Sequence, residues 1–182
     1  MNTVALFGGS FDPPHIGHEA IVKALQEIKH IDKIIVMPTY LNPFKSKFYA
    51  DASTRIEWLK EIFNDYKNVE ISDFEANQKK QVASIDSVKY LLTKYKTVYL
   101  VIGADNLNSL KKWKNYDELE KLVQFIVAPR DNIKIPSKFL KLDIDEDISS
   151  TDLREDIDLK KLPNKCAEQI EKHYKENRCK IE

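Results

Sequence analysis

Glycine and cysteine are both scarce in this chain of 182 residues. Two cysteines, Cys166 and Cys179, are too few for a disulfide scaffold, and we expect two reduced thiols without a catalytic role. Only four glycines occur, whereas an average protein has about 7 % glycine. Three of the four fall within ten residues, from Gly8 to Gly17. We therefore expect the remaining glycines to mark positions where a side chain is excluded.

Net charge and long apolar runs are also absent. The 29 basic and 29 acidic side chains cancel and are spread along the chain, so a clustered positive surface for nucleic acid is not expected. No apolar stretch approaches the ~20 residues of a membrane span, and no basic segment precedes the apolar run 3–7. These absences predict a cytoplasmic protein with neither a nucleic-acid partner nor a membrane partner.

Apolar runs alternate with amphipathic segments along the whole chain. Short apolar runs predict strands over residues 3–7, 33–37, 69–74, 97–102, 123–128 and 139–144. Helical spacing predicts helices over residues 15–29, 51–66, 84–95 (with Ser84 as the N-cap), 108–122, from 151 onward, and about 165–178. This order predicts an α/β fold: a single domain, 1–182, with a Rossmann-like, doubly wound parallel sheet and helices on both faces. Ligands of such sheets bind at the carboxyl ends of the strands.

The segment between the first predicted strand and the first helix, residues 7–18, reads Phe-Gly-Gly-Ser-Phe-Asp-Pro-Pro-His-Ile-Gly-His. Glycines after a strand let backbone N–H groups approach a phosphate, and a helix N-terminus adds free donors. His15 and His18 face the same side, where imidazoles donate to phosphate oxygens and imidazolium ions offset developing charge. The pair is also compatible with two zinc ligands, although no third histidine or cysteine lies nearby.

A second candidate segment, residues 148–154, reads Ile-Ser-Ser-Thr-Asp-Leu-Arg. Hydroxyl residues at a helix start supply capping oxygens, and an arginine one turn later offers a fork suited to phosphate. Alone, this pattern is typical of an ordinary capped helix.

Together the two segments resemble the end motifs of the HxGH nucleotidyltransferase superfamily, and within it the chain resembles the bacterial nicotinate-nucleotide adenylyltransferases. The intermediate segments that agree are 38–45 (Pro-Thr-Tyr-Leu-Asn-Pro-Phe-Lys), 84–87 (Ser-Ile-Asp-Ser), 102–107 (Ile-Gly-Ala-Asp-Asn-Leu) and Trp113. The likeness spans about residues 4–159. Phe44 stands where the family often has histidine, and Val82-Ala83 where it commonly has Ser-Tyr.

The resemblance implies that ATP and nicotinate mononucleotide are joined to give deamido-NAD and pyrophosphate in NAD biosynthesis. It implies Mg²⁺ bound through the ATP phosphates, with no protein metal site. The catalytic residues that it implies are His15, His18 and Arg154. The implied ATP contacts are Gly8, Gly9, Ser10, Phe11, Gly103, Asp105, Ser150 and Thr151, and the implied mononucleotide contacts are Lys45, Ser84 and Trp113.

Several alternatives stay open at this point. A sibling adenylyltransferase acting on nicotinamide mononucleotide or phosphopantetheine shares the end motifs, as does a cytidylyltransferase. A nucleotide sensor without catalysis is a third class, disfavoured by intact His15, His18 and Arg154. Taken alone, Lys45 is equally compatible with a solvated lysine, and Trp113 with a core residue. Both a monomer and a homodimer fit the sequence.

Overall fold

One parallel sheet organises the fold in this computed structural model, which describes residues 2–42, 46–130, 132–144 and 150–178. Its strands are β1 (Thr3–Gly9), β2 (Lys33–Pro38), β3 (Val69–Ile71), β4 (Thr97–Gly103), β5 (Val123–Ala128) and β6 (Leu140–Lys141). Their order across the sheet is β3-β2-β1-β4-β5-β6, and every pairing is parallel. In the register, Phe7 of β1 lies beside Val36 of β2 and Val101 of β4. The strand order therefore reverses between β1 and β4, which is where ligands of such sheets bind.

Helices cover both faces of this sheet. Within the described residues they are α1 (Ile16–Gln26), α2 (Ala52–Phe63), α3 (Phe74–Asn77), α4 (Ser84–Leu92), α5 (Tyr116–Leu122), α6 (Ser150–Glu155) and α7 (Ala167–Arg178). Alternate strand residues point to opposite faces, so Ala5 and Phe7 pack in the core with α1, α2, α6 and α7. Val4 and Leu6 pack in the other core, with α4 and α5. The predicted fold class is confirmed.

The described residues include one of the two cysteines and all of the helices in which a membrane span was sought. Cys166 is a free, buried thiol, whereas Cys179 lies outside the described residues. Among the helices described, none combines the length and the apolar character that a membrane crossing requires.

The predicted helix over 108–122 is wrong in its first half. Two short 3₁₀ turns, Ala104–Asn106 and Leu110–Lys112, precede α5, and the backbone of Trp113 is extended. Asn115 has a φ of 53°, in the left-handed region that a right-handed helix cannot include. The helix therefore starts only at Tyr116, and the preceding irregular segment places Trp113 at the end of the sheet.

Other boundaries also differ from the sequence predictions. The strand predicted over 69–74 ends at Ile71, because the hydroxyl of Ser72 accepts the N–H of Phe74 and the chain turns into α3. The N-cap of α4 is Ala83, which makes no side-chain cap, and Ser84 is the first helical residue. The strand predicted over 139–144 is reduced to β6.

Candidate functional site

A cavity of about 650 Å³ opens at the carboxyl ends of β1, β4 and β5, where the strand order reverses. Of the predicted site residues it is lined by Gly8, Gly9, Ser10, Phe11, His15, His18, Ser84, Gly103, Asp105, Trp113, Ser150 and Thr151. The fold therefore brings the two end motifs and the middle segments to one place. Lys45 lies outside the described residues, and Arg154 does not line the cavity.

Unpartnered polar atoms mark the cavity wall. Within the described part of the chain, four buried side-chain atoms lack a hydrogen-bond partner: His15 Nδ1, Thr39 Oγ1, Glu75 Oε2 and Trp113 Nε1. Buried polar groups are normally paired, because desolvation without a partner costs about 1–3 kcal/mol each. All four belong to residues that line this cavity. Such a concentration indicates a wall built to hydrogen-bond a ligand.

His15 and His18 form a stacked pair at the N-terminus of α1. Their ring centroids are 3.6 Å apart, and the ring of Phe11 packs 4.7 Å from that of His18. The backbone N–H of His15 donates to Nδ1 of His18 at 3.1 Å. A neutral His18 that accepts at Nδ1 carries its proton on Nε2. His18 is thereby fixed as a donor through Nε2.

Burial keeps both imidazoles uncharged. It lowers the pKa of His15 to about 3, with a smaller contribution from the charge of Arg130. Burial also lowers the pKa of His18 well below its usual value, helped by His15 and Arg130. At neutral pH the pair therefore offers hydrogen bonds from neutral imidazoles, and the lowered pKa values do not favour the imidazolium role considered from the sequence. Positive charge comes instead from Arg130, which follows β5 and lies 3.6 Å from the Asp105 carboxylate.

The expectation that glycine marks positions closed to a side chain holds unevenly. A Cβ at Gly103 would collide with the carboxylate of Asp105, which folds back over it, and one at Gly9 would lie 3.2 Å from the Phe11 ring. A Cβ at Gly8 would make only an ordinary contact, 3.8 Å from the carbonyl oxygen of Met37. The expectation is therefore supported at Gly9 and wrong at Gly8, and at Gly103 it is not confirmed, because the atom that a Cβ would meet is the flexible end of the Asp105 side chain, which can move aside.

The opposite end of the cavity is formed by Ser84 and Trp113. Ser84 opens α4, whose first N–H groups have no acceptor within the helix. Trp113 is half-buried, packs against the core on one side and lines the cavity. Its position is therefore compatible with both roles considered from the sequence, that of a core residue and that of a ligand contact. Ion pairs join α4 to the chain around Trp113 and to α5. Asp86 of α4 pairs with Lys114 at 3.1 Å, and Lys89 of α4 pairs with Glu118 of α5 at 2.7 Å.

The glycine-rich loop, residues 8–15, combines the last two residues of β1 with the segment that leads to α1, and it is held from distant parts of the chain. The carboxylate of buried Asp12 accepts the N–H groups of Tyr49 at 2.9 Å and Ala50 at 3.0 Å, and the hydroxyl of Tyr174 in α7. The guanidinium of Arg55, which is 1 % exposed, donates to the carbonyl oxygen of Ser10 at 2.6 Å. The shape of the loop therefore depends on side chains that sequence patterns did not single out.

Arg154 contacts the same loop rather than the open cavity. Its guanidinium donates to the carbonyl oxygen of Asp12 and to the Thr151 hydroxyl, and it stacks on the ring of Tyr49. The Ser150 hydroxyl donates to the carbonyl oxygen of Pro13 at 2.9 Å. The second motif thus packs directly on the first, and a phosphate contact by Arg154 stays a prediction.

Loss of the Tyr174 hydroxyl is expected to impair catalysis, because Asp12 then loses one of the bonds that fix the loop. In Tyr174→Phe we expect kcat/KM for ATP, the substrate that the sequence resemblance implies, to fall roughly tenfold to a hundredfold, as happens when groups that bind a substrate are misplaced. Tyr66→Phe is the matched control, since its hydroxyl also donates to a carboxylate, Glu19 at 2.6 Å, away from the loop. Steady-state pyrophosphate release measures both. Equal kinetics in the two variants would contradict a positioning role for Tyr174.

The fold and the site define a nucleotidyltransferase of the cytidylyltransferase-like class, and the model of that family matches residues 6–156. A curated relative from Sulfurimonas denitrificans, named "probable nicotinate-nucleotide adenylyltransferase", is 62 % identical over the full length of both chains. A relative of the same name from Campylobacter fetus is 48 % identical over 95 % of this chain and 97 % of its own. The chain belongs to the nicotinate-nucleotide adenylyltransferase family.

Solved structures agree on the fold. A Plasmodium falciparum nicotinic acid mononucleotide adenylyltransferase complexed with NaAD has a TM-score of 0.72 at 22 % identity, over 85 % of this chain and 83 % of that one. The same enzyme complexed with APC gives a TM-score of 0.71 at 20 % identity, over 90 % and 88 % of the two chains.

Proposed function

We propose that the protein transfers the adenylyl group of ATP to nicotinate mononucleotide, giving deamido-NAD and pyrophosphate in NAD biosynthesis, in the cytoplasm. One observation carries this proposal. A single cavity extends from the histidine pair and the glycine-rich loop to the N-terminus of α4 and the Trp113 indole, so one site has room for both nucleotides. Membership of the family supports the same acceptor and donor.

The chemistry is an in-line displacement at the α-phosphorus of ATP. A phosphate oxygen of the mononucleotide forms the new bond, and the bond to the bridging α–β oxygen breaks, with its electron pair leaving on pyrophosphate. Because the nucleophile is already an anion, the protein supplies position and electrostatic stabilisation rather than a covalent residue. Nε2 of His18 donates to the α-phosphate, and His15 and Arg130 lie beside it on the cavity wall. Backbone groups of the loop from Gly8 to Phe11 complete the phosphate contacts.

The remaining ATP contacts are assigned by position in the cavity. Gly103 and Asp105 hold the adenosine, where the carboxylate accepts from ribose hydroxyls. Ser150 and Thr151, which line the cavity, bind the β- and γ-phosphates. Arg154 does not line the cavity and is assigned to the same phosphates on the family pattern alone. Mg²⁺ accompanies ATP and neutralises charge on its phosphate oxygens, which are ligands that it prefers. In the described part of the chain, no group of three or more His, Cys, Asp or Glu side chains could hold a metal ion by itself.

The acceptor base occupies the end formed by α4 and Trp113. The free N–H groups and the dipole at the N-terminus of α4 favour a carboxylate over a carboxamide. Stacking on Trp113 favours the positively charged pyridine ring. Lys45 is assigned to the acceptor phosphate on the family pattern alone.

A substrate screen tests the proposal. With ATP and Mg²⁺ fixed, we expect kcat/KM for nicotinate mononucleotide to exceed that for nicotinamide mononucleotide roughly tenfold to a hundredfold. The carboxamide N–H of the amide substrate would face the backbone N–H donors of α4 without an acceptor, which costs about 1–3 kcal/mol. Pyrophosphate release with ATP and with CTP is measured in parallel, together with phosphopantetheine as acceptor. Activity only with CTP, or only with phosphopantetheine, would overturn the assignment. A preference for the amide would overturn the acceptor alone.

A further inference from the structure

Glu75 is a buried carboxyl group that the proposed chemistry does not use. It lies in α3, is 6 % exposed, and lines the same cavity as Ser84 and Trp113. Its Oε1 accepts the Ser87 hydroxyl at 2.6 Å, whereas its Oε2 has no partner. Ser87 is in the first turn of α4, so this hydrogen bond ties Glu75 to the helix end that faces the acceptor base.

The position of Glu75 is fixed by the packing of α3 on α4. The ring of Phe74 stacks on that of Tyr90 with centroids 3.9 Å apart and an interplanar angle of 9°. An interior carboxyl held in this way cannot swing out to water when it ionises. Its charge, when present, therefore acts on the cavity through a medium of low dielectric constant.

Charged groups on the elements around Glu75 are engaged elsewhere. On α4, Asp86 pairs with Lys114 and Lys89 with Glu118, and on β2 and β3 Lys33 pairs with Glu70 at 2.9 Å. Lys114 also lines the cavity, where the other charged or titratable side chains besides Glu75 are Lys112, Asp105, Arg130, His15 and His18. Asp73 lies two residues before Glu75 in sequence. Burial raises the pKa of Glu75 to about 7, against the opposing effect of the Ser87 hydrogen bond. Neither of these causes is a charged side chain.

We propose that Glu75 determines the choice of acceptor: in its protonated form it accommodates a pyridine carboxylate in the cavity, and in its ionised form it repels one. The inference rests on the proposed function, because it concerns the same acceptor site. A carboxyl group with an unpaired oxygen can donate its proton to an anion, whereas a carboxylate can only accept. A carboxamide carries no charge and has its own N–H donors, so ionised Glu75 disfavours it far less.

The sign of the expected pH dependence follows directly. Below about pH 7 Glu75 is mostly protonated and the acid is favoured, and above it the added negative charge selectively weakens binding of the acid. The ratio of kcat/KM for nicotinate mononucleotide to that for nicotinamide mononucleotide should fall as pH rises, by about tenfold between about pH 6 and about pH 8. Titration of the acceptor phosphate affects both substrates alike and cancels in this ratio.

Three variants separate this role from a purely structural one. Glu75→Gln cannot ionise and keeps an N–H donor, so its substrate ratio should stay constant with pH. Ser87→Ala removes the hydrogen bond that favours ionisation, so the fall in the ratio should move to higher pH. Asp73→Asn removes an exposed carboxylate two residues away and should leave the profile of the parent unchanged.

The outcomes distinguish the two proposals. Release of pyrophosphate with neither mononucleotide would overturn the proposed function itself. Activity with both, combined with a ratio in Glu75→Gln that falls as in the parent protein, would overturn the role of Glu75 alone. Equal losses for both acceptors in Glu75→Gln, with the pH dependence of the ratio retained, would likewise overturn it and leave Glu75 a structural residue. If Glu75→Gln fails to fold, an unshifted profile in Ser87→Ala overturns the proposal.

Discussion

Replacing His18 by asparagine is expected to lower kcat by roughly 10²–10³, the usual cost of removing one donor to developing charge. The asparagine amide oxygen can still accept the N–H of His15, as Nδ1 does, but nothing replaces the donor at Nε2. Because this hydrogen bond strengthens as negative charge shifts in the transition state, ATP affinity should change much less than kcat. Single-turnover kinetics and ATP titration separate the two quantities.

Two further substitutions complete that test. His18→Gln places an amide N–H near the position of Nε2 and should recover part of the rate. His30→Asn changes an exposed histidine outside the cavity and should leave the rate unaltered. A His18→Asn variant with normal kcat and a raised KM would show that His18 only binds ATP.

Replacing Arg55 by methionine is expected to destabilise the protein by about 3–5 kcal/mol, as loss of one partner from a buried charged network does. The guanidinium donates to carbonyl oxygens of Ser10, Tyr40 and Ala50 at 2.6, 3.0 and 2.9 Å. Methionine fills much of the volume but leaves these acceptors unpaired in the interior and removes the positive charge near Asp12. Urea denaturation monitored by circular dichroism gives the change in unfolding free energy.

Lys60→Met is the matched control for Arg55. It removes a cation from an exposed position of the same helix, where substitutions usually stay within about 0.5 kcal/mol. If Arg55→Met were as stable as Lys60→Met, the bonds from Arg55 to the loop would contribute little. Addition of ATP should also raise the melting temperature of Arg55→Met less than that of the parent, because the loop that binds phosphate has lost a support.

The parts of the site that sequence alone predicted are those where neighbouring residues carry the chemistry. Gly8 and Gly9 end β1, and His15 and His18 lie at the start of α1, so their shared location needed only the local strand-loop-helix pattern. The parallel sheet followed from the alternation of apolar and amphipathic segments. Since parallel strands place their carboxyl ends together, Gly103 was expected at the same edge.

The residues that sequence alone missed act through tertiary contacts. Arg55 and Tyr174 look like ordinary helix residues, and only packing shows that they contact the loop after β1. Glu75 sits in a four-residue helix just after the strand predicted over 69–74, in a stretch for which no element was predicted, so no periodicity indicated its burial. Arg130 lies two residues after the end of β5, and the rule that ligands bind after strand ends could have drawn attention to it.

The contacts of Asp12 with Arg154 and Tyr174 join residues 142 and 162 positions apart in sequence. During synthesis from the N-terminus, the loop emerges long before either partner exists. Contacts between residues so far apart in sequence form late in folding, because the intervening chain must first be ordered. A nascent chain that stops short of α7 therefore carries every residue of the first motif but lacks the hydrogen bond from Tyr174 to Asp12. The last support of the nucleotide site therefore forms only after α7 has been synthesised.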